Sequence, residues 1–73
     1  MRISYDAEVD AMYIRLVEGV HECRTLHLTD EISLNIGKDE LLVGIEILSA
    51  TAILGKDGER PTLLLDNLQV ATA

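Results

Sequence analysis

Asp6, Glu8 and Asp10 set carboxylates at alternate positions near the start of the chain. Oxygen ligands so spaced suit a hard cation such as Ca²⁺. A calcium loop of that kind continues with a glycine at its sixth position and a glutamate at its twelfth. Ala11 and Val17 stand there instead. The reading left is a turn in which the carboxylates accept hydrogen bonds from nearby backbone amides.

His21, Cys23 and His27 are zinc-ligand types that would share one face of a strand. His21 and His27 are separated by about 20 Å of extended chain, too far to share one ion. No metal and no cofactor is expected. Cys23 would need a cation or a helix N-terminus to lower its thiol pKa and act as a nucleophile. Its neighbour Arg24 falls on the other side of a strand, so no catalytic residue is expected.

Tyr13 and Arg15 share a strand face, and Glu46 lies in an apolar run beside Gly44. A buried carboxylate there needs a partner such as Arg15 or Tyr13. Such a cluster serves as a structural network, a subunit contact or a ligand site. The candidate binding residues are therefore Asp6, Asp10, Tyr13, Arg15, Gly44 and Glu46. The chain carries no phosphate loop, zinc-protease motif, kinase motif or Ser/His/Asp pattern. A non-enzymatic interaction module is the favoured reading. The alternative is a small enzyme or a ligand- or metal-binding protein using Asp6, Asp10, Tyr13 and Glu46 at a subunit interface.

The elements that position these residues follow from hydrophobic period. Alternation every second residue marks strands. It predicts a short strand over Arg2–Tyr5, a second over Ala11–Val17, a third over His21–Thr29 and a fourth at Ile32–Ile36. A fifth runs over Leu41–Leu48, with Leu42, Gly44, Glu46 and Leu48 on one face. That strand is apolar on most of both faces, which places it near the centre of the sheet. Replacing Leu42 or Leu48 with a charged residue is expected to weaken assembly. Gly44 inside it signals a bulge or a close approach. Gly37-Lys38-Asp39-Glu40 is a short hairpin connection. Ser49 is placed to cap a short helix ending at Gly55. Thr62–Leu65 reads as the start of a last strand, although Leu64, Leu68 and Ala71 would also mark a helix face. The fold class is mainly β: one small antiparallel sheet, a meander of about five strands, with a short helical or extended C-terminal segment packed on it.

The chain has 73 residues, enough for a single domain over 1–73. Chains of this size usually need a disulfide, a metal or a partner subunit. The lone Cys23 excludes an internal disulfide and fits a reducing compartment. A homodimer or higher homo-oligomer is therefore expected. The net charge of −7, with Arg and Lys scattered and only Tyr5 and Tyr13 aromatic, argues against nucleic acid. It is compatible with a small basic protein partner. No secretion signal and no membrane-spanning run is read, and the expected location is the cytoplasm.

The runs Ile3-Ser4-Tyr5-Asp6, Asp10-Ala11-Met12-Tyr13-Ile14-Arg15-Leu16 and Leu42-Val43-Gly44-Ile45-Glu46-Ile47-Leu48-Ser49-Ala50 carry a resemblance. They resemble family 2283 of the domains of unknown function, short prokaryotic proteins, over roughly residues 2–50. The resemblance implies a small β-rich fold and no established activity. Some members are encoded beside small toxin-like proteins, which implies an antitoxin-like or regulatory role. The family often has an Asp in the fourth strand, near Asn35, and the tail from Gly55 to Ala73 is longer and more apolar than is usual in the family.

Overall fold

The computed structural model describes residues 1–71. Five strands, β1 (Arg2–Asp6), β2 (Ala11–Arg15), β3 (Arg24–His27), β4 (Ile32–Ile36) and β5 (Leu42–Ile47), are followed by a short helix, α1 (Ala50–Leu54). They form one sheet in the order β1-β2-β5-β4-β3, with every neighbouring pair antiparallel. The chain makes the β1–β2 hairpin, crosses to the far edge, and returns through β3 and β4, so the order is not the meander expected: β5, apolar on most of both faces, takes the place beside β2 that a meander gives to β3. β5 thus lies between β2 and β4, at the centre its composition predicts.

The register sorts the side chains into two faces. Ile3, Ile14, Ile45, Leu34 and Leu26 stand opposite one another across all five strands. Tyr5, Met12, Ile47 and Ile32 form the next row on that face. The other face carries the row Ser4, Tyr13, Glu46, Ser33 and His27, and beside it Arg2, Arg15, Gly44, Asn35 and Thr25.

The register shifts at Asn35/Ile36, so Asn35 faces Gly44 while Ile36 faces Leu42, and Val43 is the extra residue. The bulge corrects the simple alternation expected for β5. Leu42 stands opposite Ile36, in the apolar rows, instead of sharing a face with Gly44 and Glu46. Bulges displace side chains in this way because two residues oppose one.

Two further expectations are corrected. β3 begins at Arg24, so His21 and Cys23 lie in the loop before the strand and not on its face. Residues Thr62–Leu65 form no strand. The Gly37–Glu40 connection contains a single 3-10 turn over Lys38–Glu40, with Gly37 N–H donating to Leu41 O at 2.7 Å.

The helix α1 is held by an unexpected residue. Ser49 stands at the capping position in a left-handed conformation and makes no side-chain cap. Asp10 does the capping instead: its carboxylate accepts from Thr51 N–H at 3.1 Å and from Thr51 Oγ1 at 2.7 Å. Ala50 N–H also donates to Asp10 O at 2.9 Å. A side-chain oxygen bonding an early helical N–H is what a cap requires, whatever its place in the sequence.

The buried apolar core is small: Val43 at 3%, Ile47 at 7% and Ala50 at 0% exposure. Leu26, at the end of the longest apolar row, is 42% exposed. The apolar face is therefore open at its two edges, where Ile3 is 36% and Leu26 42% exposed, while Ile14, Ile45 and Leu34 between them are half-buried.

Candidate functional site

The polar face holds five of the six candidate residues, and four of them cluster on β2 and β5. Tyr13 and Arg15 alternate along β2, and their partners on β5 are Glu46 and Gly44. Gly44 is the floor: a Cβ there would overlap the Tyr13 hydroxyl and ring. The phenol thus lies across β5 in space that only glycine leaves open. Its oxygen accepts from Asn35 Nδ2 at 2.8 Å. Thr25 Oγ1 donates to Asn35 Oδ1 at 3.3 Å, so one hydrogen-bonded line runs from β3 over β4 to β2.

Arg15 completes this arrangement. Its guanidinium carbon lies 5.7 Å from the Tyr13 ring centroid, within cation–π range. Its Nη1 donates to Gly19 O at 3.2 Å. Glu46, diagonal to Arg15 in the register, makes no ion pair with it among the described residues. The hydrogen-bonded group around Tyr13 is therefore Tyr/Arg/Asn, and Glu46, which was to pair with Arg15 or Tyr13 if buried, is exposed at its side. Asn35 drew attention in the sequence only as lying near a position where the family often has Asp. Its pairing with a tyrosine 22 positions away depends on the sheet order.

The two aspartates separate. Asp6 accepts from Glu8 N–H at 2.9 Å, the turn geometry expected of it. With Ser4, Tyr13 and Glu46 it borders a shallow depression of about 240 Å³. Asp10 is turned away from that depression. Besides capping α1, it accepts from the Tyr5 hydroxyl at 2.7 Å. The Thr51 hydroxyl, followed by the Tyr5 hydroxyl, lowers the Asp10 pKa below the ordinary aspartate value of 3.8. Asp10 acts as a clamp joining the β1–β2 turn to α1.

The histidines and Cys23 are occupied locally. His21 Nε2 bonds Glu18 O at 2.8 Å, the Cys23 thiol lies 3.5 Å from His21 O, and His27 Nδ1 bonds Ser33 Oγ at 2.8 Å. Among the described residues no three His, Cys, Asp or Glu side chains group as a metal site. Among them, too, no helix is long and apolar enough to cross a membrane.

A short antiparallel sheet with one apolar face and one hydrogen-bonded polar face defines a small β-sheet protein. More particularly, the chain belongs to the family described as protein of unknown function (DUF2283), whose model matches residues 2–50. That span covers all five strands and ends at the first residue of α1. No curated protein and no solved structure matches the chain.

Proposed function

We propose that this protein is a non-enzymatic interaction module whose working form is a homodimer closed through its apolar face. The observation that carries the reading is the row Ile3, Ile14, Ile45, Leu34 and Leu26, which crosses the whole sheet with both ends exposed and its middle half-buried, while among the described residues the fully buried apolar side chains are Val43, Ile47 and Ala50. Apolar area left in water forgoes about 25 cal/mol per Å², and small domains have little else to offset folding entropy.

A second copy is the natural cover. The apolar rows contain no acidic residue, so two chains of net charge −7 meet there without opposing like charges. Five strands of this length present a face of roughly 24 by 17 Å, or about 400 Å² in plan. Stable interfaces take about 800 Å² from each partner. Side-chain relief and the exposed leucines at 63–65 and Leu68 supply further area. Two sheets would then stack about 10 Å apart.

Dimerisation through this face leaves the acidic loops and the polar face outward. The acidic loops suit a small basic protein, the partner chemistry an antitoxin-like role calls for. The enzyme alternative draws less support, because Asp10 spends its carboxylate on Thr51 and Tyr5, away from Tyr13 and Glu46.

Native mass spectrometry tests the reading. A homodimer without small-molecule adduct supports it, and a second, basic polypeptide on that dimer identifies the partner. A folded monomer at micromolar concentration overturns it.

A further inference from the structure

The polar face holds a second feature, independent of the proposed contact and on the opposite side of the sheet. Arg2 and Arg15 stand directly opposite each other on β1 and β2. Like charges in that register repel. Arg2 has partial relief from Glu18, 3.7 Å from its Nε. Arg15 has no carboxylate within ion-pair distance among the described residues, although acidic side chains outnumber basic ones 13 to 6. Its guanidinium is held instead by Gly19 O and the Tyr13 ring, with most of its five N–H donors unspent.

These donors border a depression of about 410 Å³, lined by Tyr13, Arg15, Gly19, His21 and Asn35 among others. Tyr13 adds another donor. Its oxygen already accepts from Asn35 Nδ2, so the phenolic hydrogen is free to point into the depression. His21 contributes no Nε2 donor, because that nitrogen's hydrogen goes to Glu18 O. A planar fork beside a phenol hydroxyl matches the two oxygens of a carboxylate. The volume suits a metabolite-sized molecule.

We infer that the Tyr13–Arg15 depression is a binding site for a small carboxylate, with the Arg15 guanidinium gripping both oxygens and the Tyr13 hydroxyl donating to one of them. An anion there also offsets the repulsion between Arg2 and Arg15. Gly44 and Asn35 hold the phenol in place, and the loop from Leu16 to Cys23 forms one wall.

The test is an amide NMR titration of the full chain with sodium succinate, against sodium chloride at matched ionic strength and against sodium phosphate. Succinate is expected to give saturable shifts confined to residues 13–23 and the neighbourhood of Asn35. Arg15→Gln is expected to weaken binding roughly tenfold or more, and Arg15→Lys to restore only part of it, since lysine keeps the charge but loses the fork. Tyr13→Phe is expected to weaken it several-fold, and it serves as the deciding variant if Arg15→Gln does not fold. Succinate shifts no larger than those from chloride overturn the inference. So does undiminished binding by a folded Arg15→Gln protein, and so does saturation by phosphate without saturation by succinate.

Discussion

The Tyr13 phenol lies across the backbone of Gly44, in the space a side chain at position 44 would occupy. The two residues sit on adjacent strands, one register step apart, since Tyr13 faces Glu46 and Arg15 faces Gly44. This contact lets Asn35 on the far side of β5 reach the phenol oxygen. A glycine in the central strand thereby connects β2 to β4 over the top of β5.

Gly44→Ala should therefore displace the ring and break the Asn35–Tyr13 hydrogen bond. Overpacking of this kind costs about 1–3 kcal/mol. In a Tyr13→Thr background the same change should cost much less, because the clashing group is gone. The difference between the two costs is the coupling energy of the pair. Urea unfolding of the four proteins measures it, and equal costs in both backgrounds would show that Gly44 is required for its backbone alone.

The sheet was legible because Ile32, Leu34 and Ile36, like Met12 and Ile14, alternate with polar neighbours at the strand period. The central place of β5 followed from its apolar character on both faces. The bulge at Val43 was not legible beyond the hint of Gly44, since alternation alone carries Leu42 to the wrong face. Nor was the cap of α1. Ser49 has the right chemistry at the right position, but Asp10 reaches Thr51 from 41 residues away. His21 and Cys23 looked strand-like because they continue the alternation of Thr25 and His27, while the pairing with β4 starts only at Arg24. At the site, Tyr13 and Arg15 were legible as neighbours on one strand face, and Gly44 and Glu46 as residues out of keeping with an apolar strand. Asn35 as the partner of Tyr13 required knowing that β4 lies two strands from β2.

Asp10 gives a pH signature. Its folded pKa lies below the ordinary value, chiefly through the Thr51 hydroxyl and then Tyr5. Between the folded and unfolded pKa values the unfolded chain binds more protons, so stability rises with pH there. The contribution is complete above the unfolded pKa and is lost as pH falls through the folded one. Asp10→Asn should flatten this acid limb in unfolding curves recorded from neutral pH downward. Thr51→Val should move the Asp10 pKa up toward its ordinary value, read from the carboxyl carbon shift. An unchanged acid limb in Asp10→Asn would remove Asp10 from the account of acid stability.

Leu26 is the sharpest probe of the apolar face. It ends the row that runs through Leu34 and Ile45, and it is already partly solvent-exposed in the monomer. Leu26→Glu should leave the monomer folded while placing a charge in the dimer interface. Fully burying a leucine is worth about 1.5–3 kcal/mol, so the dimer dissociation constant should rise by at least tenfold. Leu42→Glu, facing Ile36 in the neighbouring apolar row, should act in the same direction. Sedimentation equilibrium checks both, and Leu26→Glu remaining a dimer would move the interface elsewhere on the molecule.

The C-terminal segment provides the last test. Among the described residues no backbone–backbone hydrogen bond involves the chain beyond Glu59, and Leu64 is 88% exposed. Met1 and, on the edge strand, Ile3 border a groove with Leu63, Leu65 and Leu68. The sheet and α1 are complete without this segment. Deleting residues 62–73 should therefore preserve the strand amide signals. The monomer should lose on the order of 1 kcal/mol, which shifts the unfolding midpoint of a domain this size by about 4–8 °C. The dimer should lose more, because the exposed leucines extend an interface whose sheet face covers only about half the ~800 Å² a stable partner supplies. The expected pattern is a folded truncated chain with a dissociation constant raised at least tenfold. A truncated chain that fails to fold would make the tail part of each monomer's core, and one that dimerises as well as the full chain would confine the interface to the sheet.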